Sequence, residues 1–442
     1  MKVLKFGGTS VGDVKQMNSV MELITDREPK IIVLSAMSGT TNKLVEISDY
    51  LHKRNRDAAS AEIGKLEQNY KKIVSELLKQ GDCRTEGFRI IQKSINALRA
   101  CTCGTFNEQA AKTILAQGEL ISSALFTQLL QENGHSAQLI PALDFMSIDE
   151  EKAADSKAIR EKLSAILKSA DPADYYITQG FICRNASGEI DNLQRGGSDY
   201  TASLIGAAIH AEEVQIWTDI DGFRNNDPRV VDKTDKIEHL SFNEAAELAY
   251  FGAKILHPQT VLPAKIENIP VRLKNTMNPA DSGTVITGQS SGTGIKAVAA
   301  KDNITVIKVR SYRMLMAYGF LKNIFEIFEF FKTPIDIITT SEVAVSLTID
   351  NTDKLPEIIK ELEEYGEVIV EKNQTIICIV GDMISEEKGF ASHIFHALEG
   401  IPIRMISYGG SRYNISIVVA NNYKQKTLQS ISDKILETSE QH

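Results

Sequence analysis

The segment Pro334-Ile-Asp-Ile-Ile-Thr-Thr-Ser341 returns 68 residues later as Pro402-Ile-Arg-Met-Ile-Ser-Tyr-Gly409, and each copy is followed by an apolar run, Val343 to Ile349 and Ile415 to Val419. Recurrence at a fixed spacing marks a duplicated folding unit. Ile304 to Val309 reads as a strand, and Gly319 to Lys332 as a helix with Phe320, Ile324, Ile327, Phe328 and Phe331 on one face. Each copy therefore has a βαββαβ pattern, which predicts two ferredoxin-like modules side by side.

The chain before this repeat follows a different rhythm. Val3 to Phe6 and Ile31 to Leu34 are short apolar strands that end in small residues, Gly7-Gly8 and Ser35-Ala-Met-Ser-Gly-Thr-Thr-Asn42. Residues 43 to 131 carry helical periodicity, with Leu66, Tyr70, Ile73, Leu77 and Leu78 among the apolar positions. Strand and helix alternate again from Tyr175 to Thr178, through the small-residue helix Ala202 to His210, to the strand Val214 to Thr218. Ser241-Phe-Asn-Glu244 fits a capping box opening a helix through Tyr250. Alternation of this kind predicts a mainly parallel sheet with helices on both faces.

The Gly/Ser-rich stretch Thr287-Gly-Gln-Ser-Ser-Gly-Thr-Gly294 divides the two patterns. The expected organisation is one domain over 1–286, a linker over 287–303, and a second domain over 304–442. Gly292-Thr-Gly294 looks superficially like a dinucleotide fingerprint, but no strand leads into it.

Composition narrows the function classes. Against 49 Lys and Arg stand 58 Asp and Glu, a net charge of −9, so the bulk field repels polyanions and nucleic acid is not an expected partner. Five cysteines, Cys83, Cys101, Cys103, Cys183 and Cys378, have no zinc-ligand spacing and read as reduced thiols. The N-terminus reaches Gly7 too soon to supply the apolar core of a signal peptide, and no stretch approaches a membrane span. A cytoplasmic chain is expected, with no membrane partner.

Several segments could carry chemistry. In Lys5-Phe-Gly-Gly-Thr-Ser10 a lysine ends a strand and two glycines let backbone amides approach an anion closely. An ordinary strand-to-helix turn is the alternative. A P-loop is excluded, because the Gly64-Lys65 dipeptide is preceded by Ala59 where the first glycine belongs and followed by Leu66. Gln194-Arg195-Gly196-Gly197-Ser198-Asp199 repeats the theme before a helix, and the Arg195 guanidinium suits a carboxylate. The loop Thr218-Asp219-Ile-Asp221-Gly-Phe-Arg224-Asn-Asn-Asp227-Pro228-Arg229 follows a strand directly, as ligand loops of open α/β sheets do, although a solvated acidic turn would read the same way. Phe251-Gly252-Ala253-Lys254-Ile255-Leu-His257-Pro258 adds a lysine after a helix, where it could also serve only the helix dipole. His257 reads as structural, and neither a Ser-His-Asp triad nor a metal-ligand cluster is present.

Taken in order, Lys-Phe-Gly-Gly-Thr-Ser, Ser-Gly-Thr-Thr-Asn, Gly118-Glu119, Arg-Gly-Gly-Ser-Asp-Tyr-Thr, Trp-Thr-Asp, Asp-Pro-Arg and Phe-Gly-Ala-Lys-Ile-Leu-His-Pro resemble the aspartokinases over nearly the whole chain. The resemblance implies an amino-acid-kinase fold followed by two ACT modules, one inserted in the other: 311–380 within 304–310 plus 381–442. It also implies ATP-dependent phosphorylation of the aspartate side-chain carboxylate, the first step toward lysine, threonine and methionine, with magnesium as the metal. By the same resemblance Thr41, Glu119, Arg195 and Ser198 hold aspartate, and Lys5 and Asp199 are catalytic. Lys5, Gly7, Gly8, Thr9, Ser10, Thr218, Asp219, Arg224, Asp227, Arg229, Lys254 and Ile255 surround ATP. Arg224 departs from the pattern, since relatives commonly carry tyrosine there.

Met314-Leu-Met-Ala-Tyr-Gly319-Phe320-Leu321, with Asp336, Ser341 and Glu342, resembles the lysine-inhibited members, so lysine is the implied effector, with Asp336 facing its ammonium. Paired ACT modules imply a homodimer at least. The competing readings are a kinase of the same fold acting on acetylglutamate or glutamate, and an amino-acid sensor without turnover. An attached homoserine dehydrogenase is not expected, because no dinucleotide-binding pattern follows residue 300.

Overall fold

The computed structural model describes all residues except 27, 194–195, 253–254, 290–291, 293, 315–317, 383–388 and 437–442, and the side chain of 313. The chain forms two compact units, one of residues 1–222 with 255–289 and one of 223–254 with 290–442.

The first unit contains β1 (Lys2–Phe6), α1 (Val14–Ile24), β2 (Lys30–Leu34), α2 (Thr40–His52), α3 (Arg56–Leu77), α4 (Gly81–Cys103), α5 (Glu108–Glu132), β3 (Ala137–Leu139), α6 (Ser156–Ser169), β4 (Tyr175–Gln179), the hairpin β5 (Ile182–Arg184) and β6 (Ile190–Asn192), α7 (Gly197–Ile209) and β7 (Val214–Thr218). After β8 (His239–Ser241) and α8 (Phe242–Tyr250), which belong to the second unit, it resumes with α9 (Leu262–Ile266), β9 (Val271–Asn275) and β10 (Thr284–Thr287). Strands run in the order β3-β4-β2-β1-β7-β9 in parallel, with β10 antiparallel beside β9. Alternate strand residues point to opposite faces. Leu4, Phe6, Ile32, Leu34, Ile177 and Trp217 share a core with α1 through α5, in which Tyr70 and Phe126 are fully buried. Lys5 falls on the other face, where α7 packs across β1 and β2. The helical stretch expected over 43–131 is present as α2 to α5, and helices cover both faces of the sheet.

In the second unit β11 (Gly294–Arg310), α10 (Phe320–Phe330), β12 (Ile338–Thr340), β13 (Ala344–Ile349), α11 (Leu355–Leu362), β14 (Glu367–Asp382), α12 (Phe390–Ala397), β15 (Ile403–Tyr408), β16 (Asn414–Ala420) and α13 (Lys424–Ile431) build an antiparallel sheet ordered β12-β13-β11-β14-β16-β15. Two modules share its long central strands. One core holds Ile307, Val309, Val345 and Leu347 against α10 and α11, and the other holds Val298, Ile377, Ile379 and Ile417 against α12 and α13.

This arrangement differs from the sequence reading in three places. The expected linker is mostly strand, because β11 starts at Gly294 and buries Ala297, Val298 and Ala299 against β14. Residues 304–310 pair with β13 of the inserted module, while 294–301 pair with the half of β14 that serves the last module. The strand completing the last module is therefore 294–301, and register shifts between Lys301 and Val306 separate the two halves. Finally, the segment 223–254, expected within the first domain, packs with the second unit. Val231 enters the core of the last module, and Glu244, capped by Ser241 as expected, forms a buried ion pair with Lys296 at 2.9 Å. Among the described residues no helix is long and apolar enough to cross a membrane.

Candidate active site

In an open parallel sheet the loops at the carboxyl ends of the strands make the ligand crevice. Here the ends of β1, β2, β4, β7 and β9 deliver Gly7, Ser35, Gly180, Asp219 and Thr276 to one edge. The loop after β1 is fixed at both ends. The Gly7 amide donates to the Trp217 carbonyl at 3.2 Å, and the Ser10 and Val11 amides donate to the Gly7 carbonyl. The Ser10 hydroxyl, 1% exposed, pairs with the Thr276 hydroxyl at 2.7 Å. Between these anchors, no partner is found among the described residues for the amides of Gly8 and Thr9. A Cβ on Gly8 would lie 3.0 Å from the Ala36 carbonyl oxygen, so a side chain there would crowd the loop after β2.

Lys5 Nζ lies 2.7 Å from Asp199 Oδ1, with side-chain exposures of 11% and 15%. Little exposed, this pair has more Coulombic strength than a surface bridge, and it fixes the ammonium at the loop. Asp199 stands in the first turn of α7, which starts at Gly196 in the left-handed region (φ 71°), a conformation that favours glycine. Ser198 in the same turn accepts a hydrogen bond from the Ser35 hydroxyl at 3.0 Å and packs on Gly180, where a Cβ would come within 2.5 Å of its side chain.

α5 supplies the opposite wall. Gly118 lets the helix close on the loop after β2, since a Cβ there would meet the Ala36 Cβ at 2.7 Å. Next to it, Glu119 is 5% exposed; its Oε1 accepts from the Ala36 amide at 3.2 Å, while Oε2 is buried and has no partner among the described residues. Burial pushes its carboxyl up to about 7. Behind the loop, Thr40 is tied to the buried Tyr70 hydroxyl at 2.7 Å, which leaves Thr41 exposed in the first turn of α2. That helix starts at Gly39 (φ 77°) with no side-chain cap. An exposed hydroxyl, uncapped amides and a half-used carboxylate are suited to a small zwitterion.

Of the other expected nucleotide residues, Thr218 and Asp219 lie at the end of β7, with the Thr218 hydroxyl donating to Asp219 at 3.0 Å, and Ile255 is half-buried in the first unit. Arg224, Asp227 and Arg229 lie in the second unit. There Arg224 donates to the Thr234 carbonyl at 2.9 Å, and Arg229 grips Asp227 through two bonds that hold the Asp227 carboxyl below its ordinary range. Arg195 and Lys254 fall outside the described residues. Sequence reasoning missed Ser35 and Thr276. The signal for Thr276 was present, since the run Val271 to Leu273 ends in Lys-Asn-Thr, as the other sheet-edge strands end in small or polar residues.

Of the expected effector residues, Met314 lies in a short helical turn, Gly319 (φ 83°) starts α10, Phe320 is buried behind it, and Leu321 packs on the same core. The Ser341 amide bonds the Ala344 carbonyl, and Glu342 is exposed. The Asp336 side chain is 2% exposed and already faces an ammonium, that of Lys301, at 2.6 Å; burial nonetheless holds its carboxyl above the ordinary range.

Residues 1–275 match the amino acid kinase family and residues 377–435 the ACT domain. The lysine-sensitive aspartokinase 3 of Escherichia coli is 33% identical over 98% of this chain and 99% of its own. The crystal structure of E. coli aspartokinase III with aspartate and ADP superposes with a TM-score of 0.81 at 32% identity, covering 99% of this chain and all of the other. The structure of the same enzyme with lysine and aspartate gives 0.80 at 32% identity over 98% and 99%. Clostridium acetobutylicum aspartate kinase gives 0.86 at 28% identity over 98% and 100%. With both domains matched and the whole length aligned, the chain belongs to the aspartokinases of the amino acid kinase family.

Proposed function

We propose that this chain transfers the γ-phosphoryl group of ATP to the side-chain carboxylate of aspartate and is inhibited by lysine. The observation that carries the reading is the Lys5–Asp199 ion pair beside two loop amides and a Glu119 carboxylate oxygen that have no partner among the described residues, at the same edge of the sheet. Relatives bound to aspartate with ADP, and to aspartate with lysine, support it.

The substrate decides what the protein must do. A carboxylate is ionised near neutral pH and needs no general base to attack phosphorus. What remains is to align the reactants and neutralise charge on the transferring group. Lys5 meets the γ-phosphoryl oxygens, held in place by Asp199, while the Gly7-to-Ser10 loop offers its Gly8 and Thr9 amides to the phosphates. Glu119 receives the aspartate ammonium, and Arg195, Thr41 and Ser198 hold its carboxylates. Thr218, Asp219, Arg224, Asp227, Arg229, Lys254 and Ile255 form the rest of the nucleotide site. Among the described residues no three His, Cys, Asp or Glu side chains converge on one point. That donor set fits magnesium carried chiefly by the nucleotide's own phosphate oxygens.

In the regulatory unit, Asp336 receives an effector ammonium. Lys301 serves both Asp336 and Asp350, at 2.6 and 2.9 Å, so two carboxylates share one cation, and Asp336 Oδ2 is buried without a partner among the described residues. A second ammonium balances the charge. Met314, Gly319, Phe320, Leu321, Ser341 and Glu342 surround the same effector. The chain works in the cytoplasm as a homodimer joined through its ACT modules.

The test is ATP consumption with aspartate, glutamate or acetylglutamate in turn, trapping acyl phosphate with hydroxylamine. Aspartate-specific hydroxamate suppressed by lysine is expected. Lys5→Ala should cut turnover at least ~100-fold, since one lost charge-stabilising contact costs roughly 3 kcal/mol. Product from glutamate or acetylglutamate alone would reassign the substrate, and no product from any of them would leave an amino-acid sensor.

A further inference from the structure

The segment 179–181, at the end of β4, touches both walls of the candidate amino-acid site. The Gln179 side chain is buried and uses both ends of its amide: Oε1 accepts from the Ala142 amide at 2.7 Å, and Nε2 donates to the Ser123 hydroxyl at 2.6 Å. That hydroxyl donates in turn to the Glu119 carbonyl at 2.8 Å, so the turn of α5 that carries Glu119 is bolted to the end of β4. Toward α7 the same segment makes two contacts. Gly180 leaves no room for a side chain against Ser198, and the Phe181 amide donates to the Thr201 hydroxyl at 3.1 Å. Phe181 does so in the left-handed region (φ 68°), which a bulky residue adopts at a cost. Such strain persists only where the surroundings fix the chain, and it clusters at ligand sites. A second tie between the walls runs through Ser35, whose carbonyl accepts from Ser122 on α5 and whose hydroxyl donates to Ser198 on α7. Ser35 and Ser198 are half-buried at the site, where an incoming carboxylate can take over their hydroxyl bond. Gln179 and Ser123 are 1% and 0% exposed, so their bond stays when the site fills.

We propose that Gln179 is a positioning residue that holds the Glu119 wall and the Ser198 wall at one separation, and thereby makes the site measure the length of the substrate's carbon chain. It rests on the reading of Glu119 as the ammonium site and Ser198 as a carboxylate site. Glutamate carries the same charged groups as aspartate with one more methylene between them, so it fits only if the walls part. A rigid site turns that methylene into a discrimination of about 10- to 200-fold, and a compliant one gives it up.

The experiment uses the full chain and measures kcat/KM for aspartate and for glutamate by hydroxamate trapping, together with the KM for ATP. The parent should prefer aspartate at least ~10-fold. Gln179→Met keeps the length and bulk but neither hydrogen bond; it should lower that preference at least ~5-fold, chiefly through a higher KM for aspartate, and leave the KM for ATP within ~2-fold of the parent. Ser123→Ala removes the same bond from the other side, and serves if Gln179→Met folds poorly. The double variant should be no less selective than Gln179→Met alone, since both changes break one bond. A folded Gln179→Met or Ser123→Ala protein with the parent's preference, additive losses in the double variant, or KM values for aspartate and ATP that rise together would each overturn the proposal. A parent that prefers glutamate overturns the functional reading and this proposal together. Glu119→Gln separates the two levels. If it keeps the parent's KM for aspartate, the ammonium-site reading fails and takes this proposal with it. If it loses aspartate while Gln179→Met keeps the parent's preference, only the Gln179 proposal fails.

Discussion

Glu119 is the residue whose chemistry depends most on its surroundings. Burial on α5 raises its carboxyl from an ordinary 4.5 to about 7, with hydrogen bonds from the Ala36 amide and from its own backbone amide in opposition. The raised value carries a sign for both stability and function. Because the native state holds this proton more tightly than the unfolded chain, the stability contribution is fully present below about 4.5 and is lost as pH rises through about 7. Glu119→Gln should therefore gain stability relative to the parent across that window, as read by denaturant midpoints at several pH values. Function runs the other way, since only the ionised carboxylate attracts the aspartate ammonium. The KM for aspartate should rise several-fold as pH falls from about 8 to about 6, with kcat moving less, and Glu119→Gln should flatten the profile. An unchanged profile in the variant would remove Glu119 from the substrate site. The motif Gly118-Glu119 was legible in the sequence through its place in the aspartokinase resemblance, but the orphan oxygen was not, since it depends on a loop 83 residues away.

At the scale of elements, the loop after β1 works because its ends are pinned while its middle is left open. Gly7 is held by β7 through the Trp217 carbonyl, and Ser10 is held at the end of β9 through Thr276. Thr276→Val keeps the shape but leaves the buried Ser10 hydroxyl short of a partner, which costs about 1–3 kcal/mol. If the loop cradles the triphosphate, the KM for ATP should rise at least about fivefold. Thr276→Ser should restore it, and the KM for aspartate should stay nearly constant. Equal losses in the two constants would point to general damage instead. Elements with local signals were readable from sequence: the capping box at Ser241, the long helices α2 to α5, and the glycine-terminated β1. Strand 294–301 was not, because its buried face is mostly alanine and its start is glycine. Its strand state comes from pairing with residues 376–382, which no local window contains. The contacts of segment 223–254 within the second unit were not legible for the same reason, as its anchors Lys296, Asp336, Ser411 and Asn414 all lie far along the chain.

For the whole molecule, the inserted module leaves apolar surface that its own fold does not cover. Tyr312, Tyr318 and Phe330 are 82%, 104% and 78% exposed, and Phe325 on α10 adds to them. Scattered exposed aromatics are ordinary, but several on one small module, beside the proposed effector residues Met314 and Gly319, suit an interface. A second copy of the chain is the simplest partner, because a two-fold contact lets one surface satisfy itself. Light scattering of the full chain with saturating lysine should give about twice the monomer mass of 48.8 kDa, or a larger even multiple. Phe330→Glu, by putting a charge into that surface, should shift the distribution toward monomer. If lysine binds beside this interface, the same variant should also weaken lysine binding, because a ligand that favours one association state is itself favoured by that state. A monomer in lysine, or a Phe330→Glu protein with the parent's mass and lysine affinity, would move the association to another surface.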